Sequence, residues 1–240
     1  MTTLRSAPTA RTADPWLDGD VIDSRAPRFN QTIVGVGSAI AVLSGWWPIL
    51  LALALQLGIG LRFGRRYCLP CLAYFGLIQP RFGEGRIEDA RAPRFANQIG
   101  FTVLSAASLA YVTGLTGLGV ALGTLVAGLA ILAATTGLCV GCEIYRIGAR
   151  LGGVRRRSLD RIDLADLGIE SAAGEVVVSF GHPLCTDCQA FEADMRAAGR
   201  HLVSINVRDR AELARKYGIA IVPTAVAINP DGLVTARLAG

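Results

Sequence analysis

Two long stretches without a single charged side chain constrain this sequence more than any other feature. Neither residues 29–61 nor residues 95–142 contain Asp, Glu, Lys or Arg. A membrane-crossing helix needs about 20 apolar residues at about 1.5 Å rise to traverse about 30 Å of hydrocarbon. Each stretch is longer than one such helix and is interrupted by a turn signal, at Ser44-Gly45-Trp46-Trp47-Pro48 and at residues 113–119. The pattern therefore predicts four transmembrane helices, near residues 27–46, 48–64, 94–113 and 118–138, arranged as two hairpins. Overall, 52% of the 240 residues are hydrophobic and 18% charged, which excludes a disordered chain. The first 26 residues are polar, with no short apolar run before a small-residue cleavage site, so no secretory signal is read here.

The hairpins are copies of one unit. Asp23-Ser24-Arg25-Ala26-Pro27-Arg28-Phe29 returns as Asp89-Ala90-Arg91-Ala92-Pro93-Arg94-Phe95, and each copy leads through apolar helices to a CxxC pair. This makes a membrane domain of residues 23–150, with repeats 23–88 and 89–150, after a polar tail of residues 1–22. Asp23 or Ser24 is placed to cap the first helix, and Pro27 and Pro93 suit early helical positions where no amide donor is missed. The 24 basic residues include only one lysine, Lys216. Arginines cluster in the segment between the hairpins and after the last helix, and the hairpin tips carry none. The positive-inside rule then puts both termini and the central loop in the cytoplasm of a multi-pass plasma-membrane protein. The arginines thus speak to topology and lipid contact rather than to nucleic acid.

No ionisable group lies inside the predicted membrane region, where Gln56 is among the few strongly polar residues. That disfavours ion-coupled transport. Haem ligation there is disfavoured too, because His182 and His201 lie in the later, charged part of the chain. Gly119 and Gly123 form a GxxxG pair suited to close helix packing.

Residues 151–171 read as a linker with a basic run, Arg155-Arg156-Arg157, that sets topology or touches anionic lipid. Residues 172–240 alternate between strand and helix. The apolar run Val176 to Phe180 is followed by Cys185-Thr186-Asp187-Cys188 opening a helix, a strand from Leu202 to Val207, a short helix capped by Asp209 and Glu212, then Val222-Pro223-Thr224 and a hairpin. A cysteine at a helix N-terminus is held as thiolate by unpaired amides and the helix dipole, and one turn brings the second cysteine within disulfide reach.

This order of elements resembles the thioredoxin superfamily, an α/β fold. The resemblance implies that Cys185 attacks, Cys188 resolves, and Pro223 is a cis-proline beside the disulfide. Leu184 replaces the usual aromatic residue before the first cysteine, the first strand lacks the usual carboxylate, and Asp187 adds charge that opposes a thiolate. The chain stops at Gly240, where that family continues into a further helix; truncation, or cover of the sheet by the membrane half, would account for this.

The Arg-Ala-Pro-Arg-Phe repeats and Cys139-Val140-Gly141-Cys142-Glu143-Ile144-Tyr145 resemble a bacterial membrane domain family of unknown function. That likeness implies four spans and an occurrence near thioredoxins and sulfurtransferases. A pseudo-two-fold arrangement would bring Cys68/Cys71 and Cys139/Cys142 together at the cytoplasmic rim. Three readings compete there: disulfide exchange with Cys185/Cys188 at high effective concentration, a four-thiolate zinc or iron site, or small buried residues. A reducing cytoplasm favours transient or metal-bound pairs over structural disulfides. Arg28 and Arg94 serve as interface anchors, or hold an anion and tune the thiols. Glu143 is a candidate proton acceptor and Tyr145 an interfacial anchor. The leading expectation is a membrane-anchored thiol–disulfide oxidoreductase that uses redox disulfides and no bound cofactor, acting on thiol proteins or small sulfur compounds. The alternatives are sulfur-compound or thiol uptake served by an accessory thioredoxin domain, and a quinone-linked oxidase resembling vitamin K epoxide reductase. The oligomeric state is left open.

Overall fold

A computed structural model describes residues 13–151, 159–168, 174–219 and 221–239. The run Arg155 to Arg157 and the first twelve residues of the polar tail lie outside the described residues. In the N-terminal half, β1 (Val21–Asp23) leads into α1 (Arg25–Ser44) and α2 (Pro48–Phe63), then α3 (Leu69–Ala73), a π-helical turn (Tyr74–Ile78) and α4 (Gln79–Phe82). The second copy runs β2 (Ile87–Asp89), α5 (Arg91–Val112), α6 (Thr116–Thr136) and α7 (Val140–Leu151). Gly45 closes α1 with φ 69° and donates to Val42 O, and Pro48 opens α2. Asp23 Oδ1 accepts the Arg25 amide at 2.9 Å and Asp89 Oδ1 the Arg91 amide at 2.8 Å, while Ser24 makes no side-chain cap.

The two copies interlock about a pseudo-two-fold axis. β1 and β2 pair antiparallel with Ile22 opposite Glu88, and α1 packs along α6 as its counterpart α5 packs along α2. The bundle core is built from Leu50, Ala54, Leu104 and Ala107, with Ala41 and Leu57 beside them. The GxxxG pair allows close approach: a Cβ on Gly123 would fall 2.8 Å from Val42 Cγ2, and one on Gly119 would meet the Tyr111 ring. On the outside, Phe101, Leu109, Leu125 and Leu132 of α5 and α6 are exposed, as are Ile40 and Leu55 of α1 and α2.

The expectation of four membrane-crossing helices is corrected. Among the described residues only α5 and α6 are long and apolar enough to cross a bilayer. The 16 residues of α2 reach about 24 Å at about 1.5 Å each, short of about 30 Å of hydrocarbon. α1 has 20 residues, but Arg25, Arg28, Asn30 and Gln31 occupy its first two turns and shorten its apolar part. A long uncharged stretch is thus divided by its turn into pieces that do not each span. The chain is mostly helical and its sheets are small. Two helices of this kind are compatible with association with a membrane.

The C-terminal half has a four-stranded sheet in the order β4 (Leu202–Asn206), β3 (Val176–Gly181), β5 (Thr224–Ile228) and β6 (Val234–Ala239). β3 runs parallel to β4 and antiparallel to β5, and β5 is antiparallel to β6. Every residue of β3 is buried, as its continuous apolar run requires of a central strand. One face packs Val176, Val178 and Phe180 against Leu213 and Tyr217, of which Leu213 belongs to α9 (Ala211–Lys216) and Tyr217 follows it. α8 (Thr186–Ala197) carries the last cysteine pair. Leu159 and Ile162 also join this core, so part of the segment read as linker belongs to the sheet unit; the Gly232 carbonyl accepts the Ile162 amide at 2.8 Å.

Candidate dithiol and disulfide site

All three CxxC pairs open helices. Cys68 precedes α3, Cys139 precedes α7 and Cys185 precedes α8. The Cys142 amide donates to Cys139 Sγ at 3.4 Å and the Cys188 amide to Cys185 Sγ at 3.2 Å, so the first sulfur of these two pairs occupies the place of a helix cap, whereas Cys68 makes no side-chain cap. Cys68–Cys71 and Cys185–Cys188 are disulfides, whereas Cys139 and Cys142 are thiols.

The β1–β2 ribbon is the platform on which the C-terminal half docks. Arg86 pairs with Asp187, and the Ile87 amide donates to Thr186 Oγ1 at 3.0 Å. Arg91 Nη1 donates to Ile219 O at 3.2 Å. Buried Asp18 accepts from Arg208 Nη1 at 2.6 Å, and His182 Nε2 lies 3.0 Å from Asp20 Oδ2. Burial holds the His182 pKa below its ordinary value against the pull of Asp20. Its Nδ1 accepts the Leu184 amide at 3.2 Å, which orients the turn before Cys185. The negative charge of Asp187, expected to oppose a thiolate, is thus met by Arg86 from the other half of the molecule.

Docking creates a cavity of about 280 Å³ between the halves, lined by Cys139 and Cys142 on one side and Cys185, Ile221 and Val222 on the other. The Val222–Pro223 peptide beside it is cis. Arg28 reaches this cavity by lying against Gly137, whose φ of 78° and missing side chain leave room for the guanidinium. Gln31 also lines it and hydrogen-bonds Cys139. The Cys139 pKa is lowered to about 6, first because Cys142 donates its S–H to it and then through the Cys142 amide, Gln31 and the Gly141 amide, against its burial. Cys142 is pushed up for the complementary reason, by holding that proton and by burial. Glu143 forms a 2.6 Å ion pair with Arg146 at the rim, so its carboxylate is engaged by a cation rather than standing as an isolated base.

Cys68 and Cys71 lie elsewhere. They line a second cavity of about 410 Å³ made wholly of N-terminal residues, which shares only Pro27 and Pro93 with the first. The expected meeting of the two N-terminal pairs in one site is therefore replaced by two separate cavities related by the duplication. Each joins the cysteines of one repeat to the arginine of the other: Cys139 and Cys142 with Arg28, Cys68 and Cys71 with Arg94. The four cysteines do not form one ligand set. Among the described residues no group of three or more His, Cys, Asp or Glu is arranged to hold a metal.

Several participants were not singled out by sequence reasoning. Gln31 and its counterpart Asn97 sit one turn after the repeated arginines and reach the two cavities. Tyr74 follows its CxxC by three residues as Tyr145, the expected interfacial anchor, follows its own, so the repeat extends to CxxCxxY in both copies. Each packs at a tilt against the phenylalanine of its own repeat, Phe29–Tyr74 at 5.9 Å and Phe95–Tyr145 at 5.5 Å between ring centres. Aligning the two copies through their ends would have revealed these residues. Asp18, Asp20 and Arg208 could not have been found this way, because their pairing exists only across the docked halves.

Fold and site together define a class: a duplicated helical bundle bearing two CxxC helices, docked through a β-ribbon on a small α/β unit bearing a third. Residues 22–150 match the family described as a domain of unknown function, DUF4395, and the chain belongs to that family. No curated protein and no solved structure matches the chain.

Proposed function

We propose that this protein is a membrane-associated thiol–disulfide oxidoreductase in which Cys139/Cys142 and Cys185/Cys188 exchange electrons, the C-terminal half acting in the manner of a thioredoxin-like domain. The observation that carries this reading is the shared cavity, which is lined by the thiols Cys139 and Cys142 and by Cys185 of the disulfide. The Cys139 thiolate attacks Cys185 Sγ, the Cys185–Cys188 bond breaks, and Cys188 leaves as a thiolate that takes up a proton. Cys142 then loses its proton and attacks Cys139 Sγ, the mixed disulfide breaks, and Cys185 leaves as a thiolate at the N-terminus of α8. Two electrons pass from one pair to the other, and the reverse path runs through the same mixed disulfide. Tethering in one chain makes the encounter intramolecular.

The membrane half of the proposal rests on the α5–α6 hairpin. Arg91 and Arg94 lie in the first turn of α5 and Arg146 follows α6, whereas the turn between the two helices has no arginine. The positive-inside rule then assigns both flanks, and hence both ends of the chain, to the cytoplasmic side of the plasma membrane. Membrane-impermeant maleimide should leave Cys139 unlabelled in intact cells; labelling there would reverse this orientation.

Trapping tests the exchange itself. With both resolving thiols removed as Cys142→Ser and Cys188→Ser, mild oxidation should give a Cys139–Cys185 disulfide within one chain, detected by peptide mass spectrometry. Capture of Cys185 only by other proteins or small thiols would remove the basis for the relay.

A further inference from the structure

The second cavity has no use in the exchange just described, since nothing from the C-terminal half reaches it. Its chemistry differs from that of its pseudo-symmetric twin. The cavity between the halves is lined by Glu88, Asp89, Glu143 and Asp187 against Arg28 and Arg146. The cavity at Cys68 and Cys71 is lined by Arg62, Arg65 and Arg94 and by no carboxylate. Arg65 is held by the carbonyls of Pro15, Asp18, Gly19 and Val21, which fixes one positive charge in the wall. Arg94 donates to Leu61 O at 3.4 Å at the rim. The polar lining is completed by amides: Asn30 and Asn97 are 3.3 Å apart, and Gln56 Nε2 approaches Asn30 Oδ1 at 3.4 Å and Cys68 Sγ at 3.7 Å. Gln56 Oε1 is buried without a hydrogen-bond partner among the described residues.

We infer that this cavity is a separate redox site in which the Cys68–Cys71 disulfide oxidises a small thiol that carries a negative charge, such as a carboxylate-bearing thiol. Arginines in a concave, partly apolar wall raise the local concentration of an anion. The thiolate of the ligand attacks Sγ of Cys71, the less buried residue of the pair, and the Cys68 thiolate leaves beside the Gln56 amide and takes up a proton. A second ligand thiolate attacks the ligand sulfur of that mixed disulfide, releasing the Cys71 thiolate. Two thiols become one ligand disulfide and the Cys68–Cys71 disulfide becomes two thiols, so the two electrons balance within the site. The inference stands apart from the exchange at Cys139 and Cys185, because it uses different cysteines and a different cavity.

The test uses the full-length protein with its free thiols blocked by N-ethylmaleimide. Reduction of Cys68–Cys71 is followed at the peptide level with 3-mercaptopropionate, 2-mercaptoethanol and cysteamine, anionic, neutral and cationic thiols of similar size. Rates are corrected for thiolate fraction and divided by those of the denatured chain. The anionic thiol should react about ten-fold faster than the cationic one. Arg94→Gln should reduce that preference to near two-fold and Arg94→Lys should keep most of it. Equal corrected rates across the three thiols in the native protein, or a preference for cysteamine, would overturn the inference even if the substituted chains failed to fold. A failed Cys139–Cys185 trap with an intact charge preference would leave this site standing and remove only the relay.

Discussion

Cys139 and Cys185 face one cavity, the first as a thiol and the second as half of a disulfide, although they belong to different halves of the chain. Their meeting depends on contacts between residues far apart in the chain, among them Asp18 with Arg208 and Asp20 with His182. The consequences of that arrangement can each be measured.

The pH dependence of Cys139 follows from its hydrogen bonds. With its pKa lowered to about 6, alkylation by iodoacetamide should be near its plateau at pH 7 and fall about ten-fold per unit well below pH 6, because only the thiolate reacts. Cys142→Ala removes the first cause of the lowering, and the midpoint should move up toward the ordinary thiol value of about 8.5. Peptide-resolved alkylation rates between pH 4 and 9 check both statements. A midpoint that stays put in the variant would show that Cys142 does not tune its neighbour.

Docking should depend on Arg208. Asp18 is buried and takes a charged hydrogen bond from Arg208, while the Asp14 amide also donates to it at 2.8 Å. Arg208→Ala should therefore weaken docking by about 1.5–3 kcal/mol, the range for a hydrogen bond to a charged group. Limited proteolysis between the halves should become faster, and Cys139–Cys185 trapping slower, with the sheet unit itself still folded. By contrast Arg86→Ala should leave docking nearly unchanged, because that pair is exposed.

His182 gives the docked state a pH sensitivity of definite sign. Its pKa in the folded chain is lowered from 6.5, chiefly by burial, so the unfolded chain binds the proton more readily. Stability from this group is fully present above about pH 6.5 and is lost as pH falls below it. The melting temperature should drop between pH 7.5 and 5.5, and His182→Gln should flatten that part of the profile. An unchanged slope would assign the pH dependence to other groups.

Helix packing in the bundle should tolerate little at Gly123. A Cβ there would fall 2.8 Å from Val42 Cγ2, so Gly123→Leu should destabilise the bundle by about 1–3 kcal/mol through overpacking. Thermal unfolding in detergent measures this, with exposed Gly128, where a Cβ meets nothing within 4 Å, as the comparison site.

Much of the local structure was legible in the chain. The uncharged stretches mark the helices to within a few residues, because an apolar run divided by Gly and Pro leaves little else for the backbone to do. β3 is visible as a continuous apolar run, and the three cysteine pairs as helix openings. The number of spans was misread for a physical reason. Absence of charge says that a segment can be buried, but crossing a bilayer also requires apolar length beyond any leading arginines: α2 has 16 residues in all and α1 has 16 after Arg28, whereas α5 has 18 after Arg94.

What the sequence alone determined is the duplication, the helices and the three CxxC helix starts, since each rests on residues close together in the chain. Which pair meets which was decided only by tertiary structure. The β1–β2 ribbon orients the copies so that each arginine faces the other copy's cysteines. The Asp18–Arg208 and Asp20–His182 contacts then dock the C-terminal half so that Cys185 and Cys139 line one cavity, and Cys68 and Cys71 lie in another. Such partnerships carry no periodicity and no fixed spacing, so they become apparent only once the chain has folded.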